Sequence, residues 1–113
     1  MKSSKSITVT VPAYNEEKNL ARAVDKVDRA VKSLFNDYEI LIFDDCSTDN
    51  TGKIADGLAK QNKKIRIIHN KRNMGVGYSY RKGMNLSKNK YYTLVSGEGE
   101  IYVSSLRKIL SRV

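Results

Sequence analysis

Ile7, Val9 and Val11 alternate with Thr8 and Thr10 along the first apolar stretch, and this period of two predicts a strand that stops at Pro12, the only proline. Asn15 is suited to cap a helix carrying Glu16 and Glu17 in its first turn. Leu20, Val24, Val27, Val31 and Leu34 then recur at helical spacing. Residues 39–43 form an apolar run ending in Asp44 and Asp45, the pattern of a central strand covered on both faces of a parallel sheet. Ser47, Thr48 and Asp49 offer caps for a second helix with Ile54 and Leu58 on one side, a pattern weakened by Gly52 and Gly57. Residues 65–69 predict a third strand. Tyr80, Met84 and Ser87 predict a third helix within the glycine-marked segment 75–89, and residues 91–95 a fourth strand. Beyond Gly97 and Gly99, Val103, Leu106, Leu110 and Val113 mark a last amphipathic helix.

The order βαβαβαβα, with short connections, implies an α/β fold: a mainly parallel sheet flanked by helices on both faces. Ligands of such sheets bind at the carboxyl ends of the strands. In this chain those ends are residues 12–16, 44–49, 69–73 and 96–100, its polar, turn-forming segments.

Length and composition narrow the reading without changing it. The 113 residues, 40% hydrophobic and 29% charged, suit a single globular domain over 1–113 and neither a disordered nor a fibrous chain. No apolar run reaches the roughly 20 residues that cross a bilayer, and residues 1–6 lack the apolar stretch of a secretory signal, so a soluble, cytoplasmic protein is expected. The single cysteine, Cys46, excludes an internal disulfide, and Asn85-Leu86-Ser87 reads as a chance sequon. A net charge of +9 draws phosphates. The basic residues are scattered, however, with short clusters only at 60–66 and at Lys71-Arg72. They read as a solvated surface, and no nucleic-acid motif accompanies them, so no nucleic-acid partner is expected.

Several residues invite chemistry. Asp44 and Asp45 leave a buried strand where acceptor-only carboxylates suit a uracil imide N–H or a ribose hydroxyl, although the same run is rich in helix caps. Glu98 and Glu100 can offer hard oxygen ligands to Mg²⁺ or Mn²⁺, or form a metal-free acidic turn. Gly75-Val76-Gly77 is followed by tyrosine at position 80, and Gly52-Lys53 lacks the rest of a P-loop, so neither dinucleotide nor P-loop binding is supported. His69, the only histidine, reads as structural.

Four blocks in order carry a resemblance: Val11-Pro12-Ala13-Tyr14-Asn15-Glu16-Glu17, Asp44-Asp45-Cys46-Ser47-Thr48-Asp49-Asn50-Thr51, Asn73-Met74-Gly75-Val76-Gly77 with Gly83, and Val95-Ser96-Gly97-Glu98-Gly99-Glu100. Together, over residues 7–102, they resemble the family-2 glycosyltransferases, and within them the chain looks most like the polyprenyl-phosphate (dolichyl-phosphate mannosyltransferase-like) branch. The resemblance implies a Rossmann-like GT-A nucleotide-binding half and transfer of a sugar from a UDP- or GDP-sugar to a polyprenyl-phosphate, lipid-phosphate or glycan acceptor. It implies that Pro12, Ala13, Tyr14 and Glu16 line the nucleotide pocket, with Asp45, beside Asp44, as the base contact. Asn73 and Gly75 would lie against the nucleotide, and Arg72 and Lys82 near the diphosphate.

Where the family carries an aspartate-based metal motif this chain has Glu98, which puts the use of Mg²⁺ or Mn²⁺ in question. Family members continue past that motif with acceptor-binding segments and a general-base carboxylate. The 113 residues are therefore expected to be a truncated donor-binding half that binds nucleotide without turnover. A non-catalytic nucleotide-binding or regulatory module is the competing reading. Self-association through an uncovered sheet face or edge is expected, and contact with the cytoplasmic face of a membrane only through segments beyond the chain.

Overall fold

In the computed structural model, residues 3–96 are described, together with 110 and 111. Four strands alternate with three helices: β1 (Ser3–Ala13), α1 (Leu20–Leu34), β2 (Phe35–Asp44), α2 (Thr51–Gln61), β3 (Ile65–His69), α3 (Val76–Leu86) and β4 (Tyr91–Leu94). All pairings are parallel, in the order β3-β2-β1-β4. The expected last helix lies outside the described residues except for Leu110, which is buried in the core.

Each face of the sheet has its own chemistry. Ile7, Val9, Val11 and Ala13 of β1, with Ile40 and Ile42 of β2, join Leu20, Val24, Val27 and Val31 of α1 and Ala55 of α2 in one apolar core. The α1 stripe is thus the one its spacing predicts. Each of those fully buried side chains contributes roughly 1.5–3 kcal/mol relative to exposure, so a charge at Val27 would break the packing of α1. Leu41 and Phe43, which alternate with Ile40 and Ile42, are equally buried, so β2 is covered on both faces.

α3 packs on the opposite face through polar groups. Ser79 and Gly83 are its buried residues. Ser87 Oγ lies 2.8 Å from Thr8 Oγ1, and Thr10 Oγ1 lies 2.6 Å from the Tyr92 hydroxyl, which in turn donates to the Tyr80 carbonyl at 2.8 Å. A Cβ on Gly83 would stand 2.3 Å from both Thr10 Oγ1 and the Tyr92 hydroxyl, so this close approach requires glycine. Tyr80 and Met84 are exposed, because the facing side of β1 carries Thr8 and Thr10 and selects the small side of the helix.

Several boundaries differ from expectation: β1 begins at Ser3 and β2 at Phe35, each four residues before the apolar stretch that predicted it, and two others bear on the site. β1 runs through Pro12 to Ala13. The Thr10 carbonyl accepts from the Val95 N–H and the Ala13 carbonyl from the Asp45 N–H. Backbone groups alternate sides along a strand, so the nitrogen of Pro12 faces the β4 side, where β4 has already ended and no donor is needed. α1 begins at Leu20 and not after Asn15, with a turn over 17–19 closed by the Leu20 N–H on the Glu16 carbonyl at 2.8 Å. Asn15 has φ 51°, left-handed backbone, and its side chain serves another loop.

Candidate functional site

The chain lays β1, β2 and β3 side by side in one direction, then crosses back to place β4 on the other flank of β1. The loops after β1 and β4 therefore diverge, and a crevice opens between them at the carboxyl edge, the topological switch point where such sheets hold ligands. A cleft of about 180 Å³ lies there, lined by Pro12, Ala13, Tyr14, Glu16, Asp45, Val76 and Ser96. Five of these belong to the residues expected around a nucleotide. Val76 was not expected; its signal was a lone valine directly after the glycine that opens α3. The volume falls below the roughly 300–1,000 Å³ of small-molecule sites, so the described residues enclose less than a whole small-molecule site. Among the described residues the lining contains two carboxylates and no cation.

The loops after β1 and β2 are stitched together by reciprocal bonds. The Asn15 N–H donates to Ser47 Oγ at 3.0 Å, the Glu16 N–H to Thr51 Oγ1 at 2.8 Å and the Glu17 N–H to Asp49 Oδ2 at 3.3 Å. In return the Thr48 N–H donates to Asn15 Oδ1 at 2.8 Å and the Asn50 N–H to Glu17 Oε2 at 3.1 Å. Asp49 Oδ1 also accepts from the Thr51 N–H at 2.9 Å, closing a turn just before α2, whose N-cap is Asn50, without a side-chain cap bond, and not Ser47, Thr48 or Asp49. Desolvation pushes the Asp49 carboxyl up, but the donors from Thr51 and Glu17 outweigh it and hold the group below its ordinary value. Nearly all the polar residues of these two motifs are thus consumed in holding the loops, leaving Tyr14, 47% exposed, to face the opening.

Asp45 is the centre of a third connection. Its Oδ1 accepts from the Met74 N–H at 2.7 Å and from Asn70 Nδ2 at 2.9 Å, and its Oδ2 from the Gly75 N–H at 3.0 Å. Burial pushes this carboxyl up, and the three donated bonds overcome that and hold it below the usual carboxylate range. Of about four acceptor positions on a carboxylate, three are taken within the protein. Asp45 is therefore first a pin for the loop 70–75, with a remaining position on Oδ2 for a ligand.

Asp44, one residue earlier, points to the other side of the sheet and does not line the cleft. Its Oδ1 accepts from the Ser47 N–H at 3.1 Å and its Oδ2 lies 2.9 Å from His69 Nδ1. A Cβ at Gly52 would stand 2.7 Å from Asp44 Oδ2, so glycine there lets α2 approach the carboxylate, a role its sequence position did not reveal.

Gly75, φ 86° and ψ 163°, occupies backbone that side chains rarely adopt, and it opens α3. Open space surrounds the position of its absent Cβ, so here glycine answers to conformation rather than to close approach. Asn73 is exposed and Arg72 lies in a neighbouring cleft with Lys71 and Tyr78, its Nε 3.3 Å from Met74 Sδ. Lys82 is six residues along α3 from Val76, about 9 Å of helical rise, and lines neither cleft. Glu98 and Glu100 lie outside the described residues. Among the described residues no group of three potential ligands could hold a metal, and a cation on Asp45 would have to compete with three N–H donors. The described residues therefore do not by themselves make a metal site.

A sequence model of glycosyl transferase family 2 matches residues 8–113. A dolichyl-phosphate beta-glucosyltransferase of Dictyostelium discoideum is 35% identical over 100 residues, covering 82% of this chain and 31% of that protein. The chain spans about a third of the length of the curated relatives it matches. Its fold is that of GT-A glycosyltransferases. TarS of Staphylococcus aureus, residues 1–349, solved with UDP-GlcNAc, aligns with a TM-score of 0.72 and 22% identity over 98% of this chain and 30% of that one. The mannosyltransferase PcManGT of Pyrobaculum calidifontis, solved with GDP-Man and Mn²⁺, aligns with a TM-score of 0.80 and 15% identity over 96% of this chain and 32% of that one.

Proposed function

Because this chain belongs to glycosyl transferase family 2, we propose that its switch-point cleft receives the nucleoside end of a UDP- or GDP-sugar, whose sugar passes to a polyprenyl-phosphate or glycan acceptor. The observation that carries this reading is the cleft's lining, which among the described residues comprises two carboxylates, an exposed tyrosine, three apolar residues and a serine, and no cation. That set suits a base and ribose and repels a diphosphate. Tyr14 offers a ring for the base to stack on, and Glu16 and Asp45 offer acceptors for an imide N–H and ribose hydroxyls.

The diphosphate would then lie beyond this lining. Glu98 and Glu100, which follow Ser96 in the sequence, are the candidate ligands of a divalent cation, which would supply charge neutralisation to the departing diphosphate. Mn²⁺ beside GDP-Man in the Pyrobaculum neighbour supports that assignment. The Dictyostelium relative's name supports a polyprenyl-phosphate acceptor and work at a membrane face; no helix among the described residues is long and apolar enough to cross a membrane. The 113 residues hold the donor and do not complete the transfer.

Calorimetric titration with UDP, GDP, CDP and ADP, each with and without Mn²⁺, tests the reading. Binding of UDP or GDP, tightened by Mn²⁺ and the tightening lost in Glu98→Ala, is the expected result. Failure of every nucleotide to bind would overturn it, and binding indifferent to Mn²⁺ would favour a non-catalytic module. Sugar transfer by the chain alone would refute the claim that it cannot turn over.

A further inference from the structure

We propose that His69 is a positioning residue for the nucleotide cleft: bridging Asp44 and Asp56, it fixes the turn that carries Asp45 and the loop stitched to it. The inference rests on the donor-site reading above.

His69 ends β3. Its Nδ1 lies 2.9 Å from Asp44 Oδ2 and its Nε2 2.8 Å from Asp56 Oδ1. Ionised carboxylates only accept hydrogen bonds, and a neutral imidazole has a single donor, so both contacts are satisfied together only by the imidazolium. The hydrogen bonds that His69 donates to Asp44 and Asp56 accordingly raise its pKa above the ordinary 6.5 against a smaller opposing effect of burial. The charged groups around the ring are Asp44 from β2, Asp56 from α2, and Lys71 and Arg72, which line the cleft that His69 shares. On β3 itself Arg66 is engaged elsewhere, 3.1 Å from Glu39.

The bridge is coupled to the cleft residue by residue. His69 pairs with Asp44 in the β2–β3 register, and the Asn70 N–H donates to the Asp44 carbonyl at 2.9 Å. Asn70 Nδ2 then donates to Asp45 Oδ1, so two consecutive residues of one strand end grip two consecutive carboxylates of the other. From Asp44 the connection continues through the Ser47 N–H, and from Ser47 Oγ to the Asn15 N–H, between Tyr14 and Glu16. The Asp44 side chain is only 10% exposed, so loss of its cationic partner leaves a nearly buried charge with only the Ser47 N–H to its side chain. The turn that must relax in response is the one carrying Asp45 into the cleft.

A histidine that merely stabilises the fold would titrate alike with and without nucleotide. A positioning histidine would not, because coupling is reciprocal: if protonation tightens nucleotide binding, nucleotide raises the histidine's pKa by the same factor. As the only histidine in the chain, His69 gives one ring C–H titration by NMR. We expect its pKa to rise by about half a unit on saturation with UDP or GDP, equivalent to about threefold tighter binding to the protonated form. Asp56→Asn, on the exposed side of α2 and outside the cleft, should lower the free pKa, weaken nucleotide binding about threefold and shrink the nucleotide-induced rise. An undiminished rise in Asp56→Asn would mean that the diphosphate's own charge acts on the ring, and would overturn the inference. So would nucleotide binding with no rise in the wild-type chain, with the donor-site reading left intact. Failure of both nucleotides to bind would overturn that reading and this inference together.

Discussion

Asp45→Ala separates the two duties of a carboxylate that holds a loop and faces a cleft. The substitution removes one charged acceptor and leaves three donors, the N–H groups of Met74 and Gly75 and the amide of Asn70, without their partner. Hydrogen bonds to a charged group contribute roughly 1.5–3 kcal/mol each, which would sum to more than is realistic, because Met74, Gly75 and Asn70 are only half-buried and water can replace part of the loss. A net destabilisation of about 2–4 kcal/mol remains, a drop in Tm of roughly 10–20 °C for a domain of this size. Urea unfolding of the chain without nucleotide measures it, and limited proteolysis should show new cleavage within residues 70–75. If Asp45 were only a base contact, the free chain would be as stable as wild type and only nucleotide affinity would fall. A free-chain change below about 0.5 kcal/mol, the ordinary range of a surface substitution, would refute the reasoning.

The glycines divide by what a side chain would meet. Gly83→Ala gains helix propensity but forces a Cβ against Thr10 Oγ1 and the Tyr92 hydroxyl, and should destabilise by about 1–3 kcal/mol in denaturant unfolding; Gly57→Ala, with nothing within 4 Å, should stabilise by about 0.5–1 kcal/mol. Equal signs for the two would contradict the close packing of α3. Asp45 and Asp49 are held below the ordinary carboxylate pKa of 3.8, so their contribution is complete above that value and disappears as pH falls through their lower folded values. Acid unfolding followed by circular dichroism should show Asp45→Ala with a flatter pH dependence than wild type below pH 4. For His69, raised above 6.5, the sign reverses: its contribution is complete below 6.5 and is lost as pH rises through the higher folded value, and thermal melts across that range should lose this slope in His69→Gln.

Periodicity made most of the fold legible. The α1 stripe, the doubly covered β2 and the strand over 65–69 stand where spacing places them, because an apolar core selects residues by geometry alone. The underside of α3 was not legible from apolar spacing, because its contact with the sheet is made of hydroxyls and a glycine. Thr8 and Thr10 on β1, facing Ser87 and Gly83 four residues apart, were the available signal for a small, polar helix face. Asn15 was misassigned for a different reason. A capping side chain and a side chain that caps a loop 33 residues away look the same in sequence, and only the meeting of β1 with β2 decides between them.

The cleft residues were legible as a set and not by role. Their spacing is dictated by three loop ends that must be held at one edge of the sheet, each loop having polar groups that the ladder cannot satisfy. Asn15, Glu17, Ser47, Asp49 and Thr51 answer that need between the first two loops, and Asp45 answers it for the third. On the proposed donor-site reading, binding would fall to what this stitching leaves over: the ring of Tyr14, the carboxylate of Glu16, whose Oε2 also accepts from Asn19 Nδ2 at 3.4 Å, and one acceptor position on Asp45. An acidic motif at a strand end is therefore ambiguous until its hydrogen bonds are counted. Asp44 and Asp45 are adjacent and identical in type, yet one is turned to a histidine under α2 and the other to the cleft, because a strand sends successive side chains to opposite faces.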